Sequence, residues 1–163
     1  MGDRSPTPRR RSTFAEQPPR ATLAILADPA RGNAHGTRHG GEILKLADEC
    51  GGLAAIRHAG GAAVVTAAID EFAFLGPVAI GERVECEAVV THVGRTSIEV
   101  RLTVHAEPLN AAHRRKVAQG YAVYVAMDSD GTNRVAPALD HVDPDAEARR
   151  AARLRRRGSA TEG

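Results

Sequence analysis

Residues 42–57, EILKLADECGGLAAIR, decide how the rest of the chain is read. Ile43, Leu46, Ala47, Cys50, Leu53 and Ala54 recur at intervals of three and four, which lines one stripe of an α-helix and predicts that this stripe faces a core. Beyond Gly60-Gly61 the period changes to two. Val64 to Phe74 is an extended, largely apolar run ending at Gly76-Pro77, and Glu82 to Val93 follows the turn around Gly81. Ile98, Val100, Leu102 and Val104 then alternate with Glu99, Arg101, Thr103 and His105, the pattern of a strand with one wet face. Val93-Gly94-Arg95-Thr96 separates these two strands and predicts an antiparallel hairpin. Val117 to Met127 supplies another strand, closed by Asp128-Ser129-Asp130-Gly131. Upstream of the helix, Thr22 to Ala27 is a short apolar run, followed by a loop holding Pro29, Gly32, Asn33, Gly36 and Gly40-Gly41.

One central helix, followed by four longer strands and preceded by a fifth short one, excludes a doubly wound parallel sheet, in which helices alternate with strands. The expected class is α+β, with one curved antiparallel sheet of about five strands wrapped around one helix. At 163 residues the chain suits a single domain, and 42% hydrophobic with 26% charged residues is the balance of a soluble globular protein. Aromatic residues are only 3%, so Val, Ile, Leu and Ala must fill the core. Cys50 and Cys86 each fall in an apolar run and read as buried free thiols, with no disulfide framework or zinc spacing.

Residues 1–20, rich in Pro, Ser, Thr and Arg, have no apolar period and read as a disordered basic tail. Residues 21–140 form the expected domain, and residues 141–163 a basic C-terminal helix and tail. Within the latter, Ala146 to Arg157 is a strong helix former studded with arginine, expected to lie peripherally and fray into Gly158 to Gly163. The net charge of +2 reflects arginine gathered at both ends, leaving the middle near neutral or slightly acidic. No apolar run approaches the ~20 residues of a spanning helix, and none follows Arg4, Arg9, Arg10 and Arg11 within signal-peptide range, so a cytoplasmic protein is expected with no membrane partner. Nor is there a helix-turn-helix segment, and nucleic acid is not an expected partner.

Six motifs, in order, then carry a resemblance. They are Asn33-Ala34-His35-Gly36; His39-Gly40-Gly41 with Leu44-Lys45-Leu46-Ala47-Asp48-Glu49; Val65-Thr66-Ala67; Phe74-Leu75-Gly76-Pro77; Gly94-Arg95-Thr96-Ser97; and Val125-Ala126-Met127-Asp128 before Pro137. Each alone is a common string. Together, over roughly residues 21–139, the chain resembles the acyl-CoA thioesterases of the hotdog fold, especially the short bacterial acyl-CoA hydrolases. The resemblance implies hydrolysis of acyl-CoA to free CoA and a carboxylic acid. It also implies a homodimer that pairs further into a tetramer or hexamer, as a dimer or trimer of dimers, with each site between subunits.

On the family pattern Asp48 is the catalytic carboxylate, a general base on water or a nucleophile. Read by itself it would be a solvated helix residue. It lies two helical turns beyond Gly41, near Gly51 and Gly52, whose small size leaves room for substrate or a partner subunit. Gly40-Gly41 opens the helix, where N–H groups without intrahelical partners can receive an oxyanion. Asn33 stands where relatives use a polar side chain near the thioester, and is equally well explained as a turn former. His39 is assigned packing or hydrogen bonding at the helix start, beside substrate. Arg95, with Thr96 and Ser97, is the candidate contact for the phosphates of CoA; Arg114-Arg115-Lys116 is a second basic cluster that reads as a wet loop. Glu49 reads as a surface carboxylate. Arg38 departs from the family pattern and would add positive charge beside the reaction centre. No Gly-x-Ser-x-Gly elbow and no metal-ligand spacing among the histidines is present, so neither metal nor cofactor is expected, CoA being part of the substrate. The alternative function is a non-catalytic acyl-CoA-binding sensor or regulatory module. Behind it come a hydratase, for which no Asp and His pair stands at that family's spacing, and a purely structural oligomerisation domain.

Overall fold

The computed structural model describes residues 18–110, 112–140 and 143–160. Its elements are β1 (Arg20–Leu26), a single 3-10 turn (Pro29–Arg31), α1 (Gly40–His58), β2 (Ala63–Phe74), β3 (Arg83–Val93), β4 (Ser97–Glu107), β5 (Arg115–Met127) and α2 (Ala146–Ala160). The strands form one sheet in the order β1-β3-β4-β5-β2 with every pair antiparallel, the wrapped single-helix arrangement expected above. The helix starts at Gly40, two residues before Glu42, because His39 accepts the Gly41 N–H on its side chain and caps the first turn. Of the expected N-terminal tail, residues 1–17 lie outside the described residues, and Arg20 belongs to β1. Residues 161–163 of the expected C-terminal tail also lie outside them.

Register builds the core directly from the alternation. Cys86, Val104 and Ala118 stand in one cross-strand row, Ala88, Leu102 and Gly120 in the next, and Val90, Val100 and Ala122 in the third. These side chains face α1, which buries Ile43, Leu46, Ala47, Cys50, Gly51, Ala54, Ala55 and His58. Leu53, assigned to that stripe from spacing, is instead 42% exposed. Gly51 takes its place against the sheet, because Tyr124 of β5 reaches into the helix there: a Cβ on Gly51 would lie 2.3 Å from the tyrosine hydroxyl. The room expected at Gly51 for substrate is therefore filled from within.

The opposite face of β4 is not uniformly wet. Glu99 is buried beneath α2, whose Arg149 and Arg153 pair with it while Arg153 and Arg156 reach Asp70 on β2. Arg149 also lies 4.2 Å over the ring of Tyr121. The basic helix read as peripheral is docked on the sheet by ion pairs. A bulge in β2 between Asp70 and Ala73 puts Glu71 at a φ of 52° and brings Phe72 against Gly120 of β5. At the sheet's edge β2 also leaves Val65, Ile69, Phe74 and, just beyond it, Leu75 exposed.

Candidate functional site

Asp48 sits half-buried on α1 at a cleft of about 430 Å³ lined by Leu23, Asp48, Glu49, Gly52, Leu53, Ile56, Val64, Thr66 and Tyr124. Its Oδ1 accepts a hydrogen bond from Thr66 Oγ1 at 2.9 Å, delivered by β2. Tyr124 donates its hydroxyl to the Asp48 carbonyl at 2.8 Å, with Oδ1 at 3.2 Å from the same oxygen. Burial, then the charge of Asp48, pushes the phenol far above its ordinary value, so it stays a donor. A glycine inside a helix costs about 1 kcal/mol relative to alanine. At Gly51 that cost admits the Tyr124 hydroxyl. Glu49, read as a surface carboxylate, is exposed and lies 3.9 Å from Lys45.

The loop before the helix is held by Asn33. Its Oδ1 accepts from the N–H of His35 at 2.9 Å and of Thr37 at 3.2 Å, while its Nδ2 donates to Thr37 Oγ1 at 2.9 Å. The side chain acts here as a turn former, and to touch a substrate it would exchange Thr37 for it. At the helix start His39 Nδ1 takes the Gly41 N–H at 3.1 Å. Gly40 N–H is left without an acceptor among the described residues, beside a second cleft of about 370 Å³ formed with Ile43, Phe74, Leu75, Gly76 and Pro77. The N–H without a partner among the described residues at the helix start is thus that of Gly40, Gly41 N–H being taken by His39.

Arg38 does not carry a spare positive charge to this place. Its guanidinium is buried and paired with Asp28 at 2.9 Å and Glu42 at 3.4 Å, and Glu42 is shared with Arg31 at 2.7 Å. The Arg31 guanidinium holds the Glu42 carboxyl below its ordinary value. The Arg114-Arg115-Lys116 cluster is similarly committed, to Glu85 and Glu87, to Glu82, and to Gln119. Arg95 differs. It is exposed and has no ion pair among the described residues, while the backbone of its turn is pinned by Gly94 N–H to Ser97 O at 2.8 Å, Ala126 N–H to Thr96 O at 3.0 Å and Ala136 N–H to Arg95 O at 2.9 Å. A cation projecting from a fixed turn suits a phosphate.

These residues do not meet in one chain. The Asn33–Gly41 segment lies at the end of the sheet where β2 finishes, since the ring of Phe74 stands 3.4 Å from a Cβ built on Gly40. Arg95, Thr96 and Ser97 lie at the other end, where Ser97 pairs with Val125 and Ala63 with Met127. Asp48 stands between them. Seven residues of helix separate it from Gly41, a rise of about 10 Å, well beyond the reach of two groups acting on one carbonyl. Thr66 and Tyr124 are the hydrogen-bonding neighbours of Asp48 not singled out from sequence. Thr66 lay inside a quoted motif, whereas only the sheet register brings Tyr124 to Asp48.

The profile of the Thioesterase superfamily matches residues 35–125. An acyl-CoA thioester hydrolase of Salmonella typhimurium is 37% identical over 120 residues, covering 71% of this chain and 88% of its own. Among solved structures, an apo hexameric acyl-CoA thioesterase superposes with a TM-score of 0.80 at 34% identity, covering 84% of this chain and 92% of its own. The acyl-CoA hydrolase of Staphylococcus aureus, in complex with butyryl coenzyme A, coenzyme A and coenzyme A disulfide, superposes at 0.77 with 27% identity, covering 88% and 90%. Variants of that hydrolase with an Asn, an Asp or a Thr replaced by Ala are solved as well.

Proposed function

The chain belongs to the thioesterase superfamily and hydrolyses acyl-CoA thioesters on a hotdog fold, and from that premise we propose that Asp48 is the carboxylate that drives the reaction. The observation that carries this is its placement: a helix carboxylate held by Thr66 at the wall of an otherwise largely apolar cleft. As a general base Asp48 takes a proton from water while the oxygen attacks the thioester carbon. The oxyanion that forms accepts from a free N–H at the start of α1, and its collapse breaks the C–S bond. The thiolate of CoA leaves and regains the proton, giving free CoA and a carboxylic acid. Direct attack by Asp48 is the competing form of the same role. Water completes the balance, so the scheme includes no metal or cofactor. The Asn, Asp and Thr varied in the Staphylococcus aureus hydrolase support a site drawn from Asn33, Asp48 and Thr66.

The separation of about 10 Å between Gly41 and Asp48 supports a site shared between copies, Asp48 from one and the Asn33–Gly41 segment from the other. The exposed apolar residues on β2 suit pairing of that edge with its own copy, and hexameric relatives support a trimer of dimers. Arg95, with Thr96 and Ser97, takes the CoA phosphates. The proposed compartment is the cytoplasm, on the sequence grounds given above. Nucleic acid is no part of the proposal, since α2 commits Arg149, Arg153 and Arg156 to Glu99 and Asp70. The test is thiol release from a panel of acyl-CoAs. Folded Asp48→Ala should lose ~100-fold or more of the wild-type rate. Near-normal turnover by the variant removes Asp48 from the mechanism, and no turnover by wild type on any chain length favours the sensor.

A further inference from the structure

We infer that Tyr124 is a positioning residue for the hydrolysis: its hydroxyl, admitted into the helix by Gly51, fixes the Asp48 carboxylate through Oδ1 and leaves Oδ2 as the oxygen presented to the cleft. The inference rests on the reading of Asp48 as the working carboxylate. Three observations carry it. Tyr124 is 1% exposed, and its one polar atom ends on Asp48, with 2.8 Å to the backbone oxygen and 3.2 Å to Oδ1. The helix is built around that hydroxyl, because a Cβ on Gly51 would stand 2.3 Å from it and one on Gly52 would stand 3.8 Å from the ring. Thr66 converges on the same Oδ1 at 2.9 Å, whereas Oδ2 has no donor among the described residues.

An anchored Oδ1 fixes the carboxylate torsion, which would otherwise be broad and roughly two-fold. Proton transfer then goes to Oδ2, the oxygen with both lone pairs free. The groups that face the carboxylate are few. Lys45 and Glu49 lie on its own helix and pair with each other, β2 contributes Val64 and Thr66, β1 contributes Leu23, and β5 contributes Tyr124. Tyr124 therefore supplies a neutral donor and no charge. Its effect is on the orientation of the carboxylate.

Tyr124→Phe removes one oxygen and keeps the ring that packs against the helix at Gly51 and Gly52. Turnover of short- and long-chain acyl-CoA, followed by thiol release across pH, should show kcat lowered roughly tenfold with KM within about twofold, as for an interaction that matters in the transition state. Gly51→Ala, which displaces the hydroxyl while leaving it present, should reproduce this split between kcat and KM. Unchanged kcat in folded Tyr124→Phe overturns the inference. So does a fall in kcat that tracks lost stability and comes with a matching rise in KM, which would make the residue merely structural. Asp48→Asn, assayed in parallel, separates the two readings: if it turns over like wild type, the assignment of Asp48 fails whatever Tyr124 does.

Discussion

Glu99 offers the most direct test of how α2 is held. It is 2% exposed on the outer face of the sheet, where Thr91 Oγ1 donates to Oε1 at 2.9 Å, Arg149 donates to the same oxygen through Nε at 3.2 Å and Nη2 at 2.9 Å, and Arg153 Nη2 donates to Oε2 at 2.5 Å. Removing one member of a buried ion pair costs about 3–5 kcal/mol when the other is left buried and uncompensated. Here Arg149 and Arg153 side chains are 12% and 13% exposed and retain Asp143 and Asp70 as second partners, so neither is stranded. Glu99→Ala should therefore fall at the low end, about 3 kcal/mol, which in a chain of this size lowers Tm by roughly 6–12 °C. In an Arg149→Ala, Arg153→Ala background the sign changes. Glu99 is then a buried carboxylate without a cation, and Glu99→Ala should be neutral or stabilising. Urea unfolding of the four proteins gives the coupling, and amide exchange along α2 gives its cause, because the helix should lose protection in Glu99→Ala. Equal losses in both backgrounds, or an α2 as protected as in wild type, would refute the argument.

Gly120→Ala places a Cβ 2.7 Å from Phe72 Cα, a backbone atom of β2 that cannot rotate away. It should cost about 1–3 kcal/mol as overpacking and raise amide exchange in β2 around the bulge; an unperturbed β2 would show that the bulge yields freely. His58 should govern stability near neutral pH. Burial holds its imidazole below the ordinary value even though the Pro137 carbonyl accepts its Nε2–H at 2.8 Å. The unfolded chain takes up a proton below about 6.5 that the folded chain resists, so stability should fall as pH drops through that value. His58→Gln should flatten this part of the curve, and an unchanged slope would assign it to other groups. Arg95→Ala should raise KM for acyl-CoA and weaken binding of free CoA more than it lowers kcat, since a phosphate contact is made equally in ground and transition states; a collapse of kcat at constant KM would move Arg95 to the reaction centre.

Elements governed by one chain segment at a time were legible in the sequence. The stripe from Ile43 to Ala54 and the alternation from Ile98 to His105 each report a local period, and the structure sets both inside slightly longer elements. What periodicity misses is where two elements bargain over one position. Leu53 fits the helical stripe by spacing, yet the space on the sheet side belongs to Tyr124, so the helix presents Gly51 there and Leu53 outside. Glu99 fits the wet face of its strand by alternation, yet α2 covers it, and nothing in the sequence near Glu99 announces Arg149 fifty residues later. Arg38 looked like added charge at the helix start because Asp28, ten residues away, is not a neighbour until the loop folds back.

The candidate site was legible to a different depth, and for a geometric reason. Motifs name residue types in order, and Asn33, Asp48 and Arg95 became candidates that way. Distance along a helix then sets a limit that no motif states: seven residues from Gly41 to Asp48 are two turns on nearly one face, which reads as proximity in sequence, but also a rise of about 10 Å, which excludes joint action on one carbonyl from a single chain. On the proposed shared site, Gly40 N–H, the donor left free among the described residues once His39 has capped Gly41, meets Asp48 of a second copy. Ile69 and Phe74, exposed on the α1 side of edge strand β2, mark where the helix of that copy would arrive. The catalytic unit is thus expected to be the pair, since the same helix that fixes Asp48 at its middle keeps it away from its own first turn.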